Sequence, residues 1–192
     1  MDKLTKKTLN EKVKLPFIVA LIGVLILVVG MFLPYLSAVG EMAEYIAKYP
    51  DRIEIKDLEL TASDLKDISV VSVSKLITGV YGEDDGTIAN IIVMVFGGFL
   101  ALTALFVILK KPIAAVIFNL LTYGTFAFLN TSMKEDFIDP DKYAWGIGYY
   151  AITIGIAIIC AGAIWLLIKK IAVKKELKAA AVSAVETAKV SE

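Results

Sequence analysis

Residues 86–133, GTIANIIVMVFGGFLALTALFVILKKPIAAVIFNLLTYGTFAFLNTSM, decide how the whole chain is read. Their only charged members are Lys110 and Lys111. On one side of that pair lie 24 uncharged residues, Gly86–Leu109, and on the other 22, Pro112–Met133. A bilayer core of about 30 Å takes about 20 apolar residues in helix, so each half is long enough to cross it. A two-residue link leaves room only for a tight antiparallel hairpin.

Working outward, two further stretches lack charge, Leu15–Gly40 and Tyr143–Ile168, of 26 residues each. All 40 charged residues therefore fall in the remaining 94 positions of a 192-residue chain. The hydrophobic fraction is 58%, above the roughly 45–50% of soluble domains, and mean hydropathy is +0.74. This pattern predicts an all-α integral membrane protein, a four-transmembrane-helix bundle with a small α/β-type extracytoplasmic module between helices 1 and 2. The segments are a basic tail 1–14, spans 15–40, 86–109, 112–133 and 143–168, an acidic loop 41–85, a short loop 134–142, and a Lys/Ala-rich tail 169–192.

Orientation follows from the lysines, because basic residues are retained on the cytoplasmic side. The N-terminal tail is net +3, the Lys110-Lys111 link +2 and the C-terminal tail +3, whereas the two intervening loops together are −8. Both ends are expected in the cytoplasm of a plasma-membrane protein. Ala38-Val39-Gly40 has the small-residue spacing of a signal-peptide cleavage site, but the apolar run before it far exceeds a usual 7–15-residue core. The first span is expected to be retained. Pro16 and Pro112 suit the first turns of their spans, where a missing N–H costs nothing, and Pro34 should kink or end span 1. Tyr35, Tyr81, Tyr143, Trp145, Tyr149 and Tyr150 mark one interfacial belt, Phe17 and Trp165 the other.

Within the loop, Ser37–Tyr49 reads as a helical continuation ending near Pro50. Arg52-Ile53-Glu54-Ile55 alternates as a strand does, and Leu58-Glu59-Leu60 repeats the alternation in shifted phase. Thr61-Ala62-Ser63-Asp64 resembles a capping box, predicting a helix with Val70, Val73, Ile77 and Val80 on one face; Val71-Ser72-Val73-Ser74 also fits a strand. Gly82–Gly86 reads as a turn, with Asp85 or Thr87 capping span 2. Some 45 residues are too few to bury an independent core, so the module must rest on the span ends, a second copy or a partner.

The candidate chemistry is sparse. Charges at membrane depth cost about 2.5–3.5 kcal/mol each and usually mark ion routes or proton relays; the four spans contain none. Asn119, Thr122 and Tyr123 form a polar stripe at i, i+3 and i+4, read as helix packing in preference to a pore lining. Gly148, Gly155 and Gly162, with Ala151, make a small-residue seam on span 4, and Gly97-x-x-x-Ala101 with Ala104 offers another on span 2. The chain has no His and one Cys, Cys160, so a Cys/His metal site is not expected and Cys160 reads as packing. The acidic residues Glu83, Asp84, Asp85, Glu135, Asp136, Asp139 and Asp141 match no calcium-loop spacing. Phosphate-loop and Ser/His/Asp signatures are missing, and a Ser-Lys dyad among Ser63, Ser69, Ser72 and Ser74 has no motif behind it. No cofactor, metal site or nucleic-acid partner is expected. Lys169, Lys170, Lys174, Lys175 and Lys178 flank the last span and suit anionic lipid.

The topology is similar to that of claudin-type and tetraspanin-type proteins: four spans, both tails inside and one dominant outer loop. Those families depend on paired cysteines in that loop, and claudins on a tryptophan-containing motif; this loop has neither Cys nor Trp. The sequence thus points to a non-enzymatic accessory or interaction subunit of a cell envelope, with a small oligomeric channel, permease or export component as the alternative. A bacterial source accords with 19 lysines to one arginine, the usage of an AT-rich genome. The partners expected are the lipid bilayer and another membrane or envelope protein, or a second copy. Ile53, Ile55, Leu58 and Leu60 are the preferred contacts, since an exposed strand edge invites pairing.

Overall fold

The computed structural model describes residues 3–49, 62–136 and 139–190. Ten elements follow one another: α1 (Lys3–Gly30), β1 (Pro34–Ala38), α2 (Gly40–Lys48), α3 (Ala62–Lys66), β2 (Asp67–Ser69), α4 (Val73–Tyr81), α5 (Glu83–Ile108), α6 (Pro112–Asp136), β3 (Tyr143–Trp145) and α7 (Ile147–Val190). Four helical segments are long and apolar enough to cross a membrane, Glu11–Gly30, Glu83–Ile108, Pro112–Lys134 and Ile147–Ala180. That is the make-up of a multi-pass membrane protein.

Glycines set a close backbone contact between antiparallel α1 and α7. A Cβ added at Gly155 would lie 2.8 Å from Leu27 Cβ, and one at Gly162 would lie 2.6 Å from the Ala20 nitrogen. From the facing side, a Cβ at Gly23 would sit 2.8 Å from the Ile159 nitrogen. Lipid offers no hydrophobic drive for helices to associate, so backbone-to-backbone packing of this kind supplies the attraction. The pair continues beyond the apolar region: Val13 and Val173 are buried, and Lys12 Nζ meets Glu176 Oε2 at 2.5 Å. At its 44 residues, α7 is about 66 Å long.

Helices α5 and α6 form the second close pair, and α6 also packs on α7. Their link is tight. Lys110 takes φ of 52°, and the Lys111 N–H donates to the Phe106 carbonyl at 2.8 Å, closing the end of α5 before Pro112 opens α6. Lys170 Nζ donates to the Lys110 carbonyl, and Lys110 Nζ lies 5.2 Å from the Phe17 ring centroid. The hairpin turn is thereby tied to both α7 and α1.

At the opposite end a three-stranded antiparallel sheet, in the order β2-β1-β3, forms a cap. Leu36 pairs with Ile68 on one side and Trp145 on the other. Two of its three strands come from segments that composition assigns to spans, which corrects the sequence reading. Helix α1 stops at Gly30 and not near residue 40, and α7 begins at Ile147 and not at Tyr143. The reason is local backbone geometry: Pro34 has no N–H to continue a helix and is accommodated as the first residue of a strand.

Other boundaries shift for similar reasons. Pro16 lies inside α1, because the helix extends back to Lys3. Residues 37 and 38 belong to β1, so α2 starts only at Gly40. The helix foreseen after Thr61 is broken: α3 ends at Lys66, β2 intervenes, and reciprocal Ser69–Ser72 bonds turn the chain into α4. Val70, Val73 and Ile77 do share a buried face; the side chain of Val80 lies outside the described residues. Only Gly82 separates α4 from α5. With φ of 105°, in the region that favours glycine, it caps α5 in place of Asp85 or Thr87.

Substitutions at the α1/α7 contact should be costly. Gly155→Ala and Gly162→Ala are expected to destabilise the fold by about 1–3 kcal/mol through overpacking. At Gly98 and Gly124 an added Cβ would meet nothing within 4 Å, so alanine there should be neutral or stabilising by up to about 1 kcal/mol. Unfolding in mild detergent by heat or by titrated SDS would separate the two pairs.

Candidate functional site

Two polar assemblies stand out, one inside the bundle and one under the cap. Inside, Thr122 of α6 faces Thr103 of α5 and Asn119 of α6 faces α7, and all three are fully buried. Asn119 Nδ2 donates to the Ile156 carbonyl of α7 at 3.0 Å and lies 3.1 Å from Cys160 Sγ. The Thr103 and Thr122 hydroxyls, 3.4 Å apart, each donate at 2.8 Å to a carbonyl one turn earlier in their own helix. Their protons are thus committed, and Asn119 Oδ1 is buried without a hydrogen-bond partner among the described residues. Phe96, Leu100, Phe126, Ile152 and Ile159 pack into the same buried cluster around this seam. Tyr123 points away, 52% exposed, so the stripe divides between inside and outside. Among the described residues the assembly holds no Asp, Glu, Lys or Arg, and what it supplies is a cross-link between helices.

Beneath the cap, Tyr35 of β1 is the organising side chain. It is fully buried, and its hydroxyl donates to Asn130 Oδ1 of α6 at 2.5 Å. Its ring meets Trp145 edge-on at 5.4 Å and Phe126 at 6.0 Å, while Trp145 stacks on Tyr149 at 4.6 Å. Backbone bonds fix the surround: the Gly146 N–H donates to the Tyr35 carbonyl and the Val39 N–H to the Lys142 carbonyl, both at 2.8 Å. At Gly146 a Cβ would come 2.2 Å from the Pro34 carbonyl oxygen, so only glycine fits where β3 passes into α7. The Tyr143 hydroxyl donates to the Leu65 carbonyl at 3.0 Å, joining β3 to α3.

The cap's rim is charged. Lys142 Nζ lies 2.9 Å from Asp139 Oδ2, and the Asp141 N–H donates to Asp139 Oδ1 at 3.1 Å. The lysine bond and then the backbone bond hold the Asp139 carboxyl below its usual range, and the same pair holds Lys142 up. For a lowered carboxyl, the bonded arrangement is complete above the ordinary aspartate range and is lost as pH falls through the depressed value. Among the described residues no group of His, Cys, Asp and Glu is arranged to hold a metal ion.

The remaining residues singled out from sequence divide clearly. Gly148, Gly155, Gly162 and Ala151 all lie against α1, meeting Gly30, Leu27, Ala20 and Gly30 respectively. Gly97 makes no such approach, since a Cβ there would find only the Met31 methyl at 4.0 Å, and Ala101 is exposed. Four of the five flanking lysines, Lys169, Lys174, Lys175 and Lys178, are exposed, whereas Lys170 is drawn onto the Lys110 carbonyl. Ile53, Ile55, Leu58 and Leu60 lie outside the described residues. Sequence reasoning missed Gly23 and Gly30, whose seven-residue spacing matches that of the glycines they face. It also missed the bond from Tyr35 to Asn130.

If Asn119 serves packing, its loss should be mild and its ionisation severe. Asn119→Leu is expected to cost no more than about 2 kcal/mol. Asn119→Asp should lower stability or block insertion by about 2.5–3.5 kcal/mol. SDS unfolding and membrane-fraction yield of both variants provide the check.

Comparison with protein-family models, with curated proteins and with solved structures finds no match to this chain.

Proposed function

We propose that this chain is a non-catalytic accessory or interaction subunit of a bacterial plasma membrane, with both termini in the cytoplasm, that engages a protein partner through its cap. The observation that carries this reading is the rigid seating of the cap on a filled bundle. Tyr35 is locked between Asn130, Phe126 and Trp145, and the polar seam below it spends its donors on helix carbonyls. Such an arrangement suits the display of a surface better than the conduction of a solute.

The face presented is chemically mixed. Tyr45 of α2 and Val71 in the turn before α4 are exposed at 49% and 42%, and Glu41, Glu44, Lys48, Lys66 and Asp67 of the cap elements are exposed as well. An aromatic anchor within a polar rim is the usual composition of a protein-binding patch. Ile53, Ile55, Leu58 and Leu60, outside the described residues, remain contact candidates on their alternating sequence pattern.

Photo-crosslinking in native membranes tests the proposal. A photoreactive residue at Tyr45, Val71 or Ile55 should give one common adduct band, and the same residue at Leu25, 58% exposed in α1, should not. Tyr35→Ala, which unseats β1, should reduce that band strongly while leaving the protein in the membrane fraction. If no cap position gives an adduct, and reconstituted vesicles show solute flux that Asn119→Leu abolishes, the channel alternative replaces this reading.

A further inference from the structure

The face of the bundle formed by α5 and α6 carries a groove of about 420 Å³ at membrane depth, walled by Ile91, Ile92, Val95 and Phe99 on one side and Leu121 and Phe128 on the other. Its floor includes Gly124, where an added Cβ would meet nothing within 4 Å. A second cavity of about 180 Å³ lies under α4, roofed by Ile77, and has Asp85 and Ser132 among its lining residues. Ile92 and Phe128 line both. The two therefore adjoin, and together they mark out a slot along the α5/α6 seam with polar residues at its cap end.

Its dimensions indicate what fills it. From Ile88 to Phe99 the slot follows α5 for eleven residues, about 16 Å at 1.5 Å per residue. That is about half of a hydrocarbon core of about 30 Å, the depth of one leaflet. The walls are apolar apart from Thr125, whose hydroxyl donates back to the Leu121 carbonyl. At the mouth, the Asp85 carboxylate and the Ser132 hydroxyl supply oxygen acceptors, and Glu83 and Asp84 add negative charge in the same helical turn.

We infer that this slot holds one acyl chain of a phospholipid from the cap-side leaflet, with an ammonium-bearing head such as ethanolamine placed at Asp85 and Ser132. The inference requires membrane insertion but not the partner-binding reading above. Each can fail alone.

The test uses the full chain in nanodiscs of phosphatidylethanolamine and phosphatidylglycerol, doped in turn with a trace of either lipid bearing a photoreactive diazirine in its acyl chain. After illumination, adducts are mapped by peptide mass spectrometry. Adducts at Ile88, Ile92, Val95 and Phe128 should exceed those at Ile22 and Leu25 of α1 several-fold, with the ethanolamine probe labelling the slot more heavily. Gly124→Phe should suppress slot labelling, while Gly98→Phe, equally open but outside the slot, should not. Should Gly124→Phe fail to fold, Thr125→Leu fills the same space. Asp85→Asn should remove the preference between the two lipids and leave acyl labelling in place. Even labelling of all exposed spanning residues, or adducts joining two copies across Val95 and Leu121, would overturn the site. Equal labelling by both lipids in the unsubstituted chain would overturn the head-group assignment.

Discussion

The backbone contact between α1 and α7 governs the rest of the architecture. Gly23, Gly155 and Gly162 allow the two helices to meet at distances that a single methyl group would prevent, and that closeness fixes their antiparallel register. Where they end, Gly30 lies against Ala151 and Ile152, and Gly148 against Leu33. The chain leaving α1 and the chain entering α7 are then already side by side. Strands β1 and β3 pair with hardly any change of register, Leu36 opposite Trp145. The sheet is a continuation of the helix pair by other hydrogen bonds, and β2 joins an edge that the helices have positioned. This is how a short loop obtains a core: Leu36, Ile68, Val70 and Val73 bury themselves on a foundation supplied by the spans.

How much of this could be read from the residues depends on which force acted. Partition between lipid and water responds to composition, so four charge-free stretches revealed four helices, and the Lys110-Lys111 link revealed the α5/α6 hairpin. Partition is blind to backbone conformation. Residues 34–38 and 143–145 are as uncharged as the helices beside them, yet they are strands, and the available signals were Pro34 and Gly146. Strand β2 is three residues long, too short for alternation to register, whereas Val70, Val73 and Ile77 repeat often enough for their shared burial to be foreseen. The glycine seam on span 4 was legible as a pattern, but its partner required noticing that Gly23 and Gly30 carry the same interval. A spacing on one helix gains meaning only when matched with a spacing on another.

The polar residues teach a related lesson. Asn119 and Thr122 were recognisable as members of a buried stripe because polar groups at membrane depth must find partners. Which partner was not recognisable, since the acceptor is the main-chain carbonyl of Ile156, a group every residue possesses. Asn130 is the converse case. It sits near the end of a span and looks wettable, yet it receives the hydroxyl of Tyr35 from a strand 95 residues earlier. A tyrosine in an aromatic belt is ordinarily an anchor to the membrane surface; here the residue faces inward and anchors the cap.

The uninterrupted run of α7 carries a mechanical consequence. One rod of about 66 Å begins directly at the sheet and continues well past the apolar region, with no proline or break to act as a hinge. Helix α1 is clasped to it from Val13 to Gly30 and travels with it. The sheet and the far tip are thus two ends of one continuous element, and a displacement at β3 has no break in α7 to absorb it. The α5/α6 hairpin touches α1 much less extensively, yet it is held to the same rod at two depths, by Asn119 on the Ile156 carbonyl and by Lys170 on the Lys110 carbonyl.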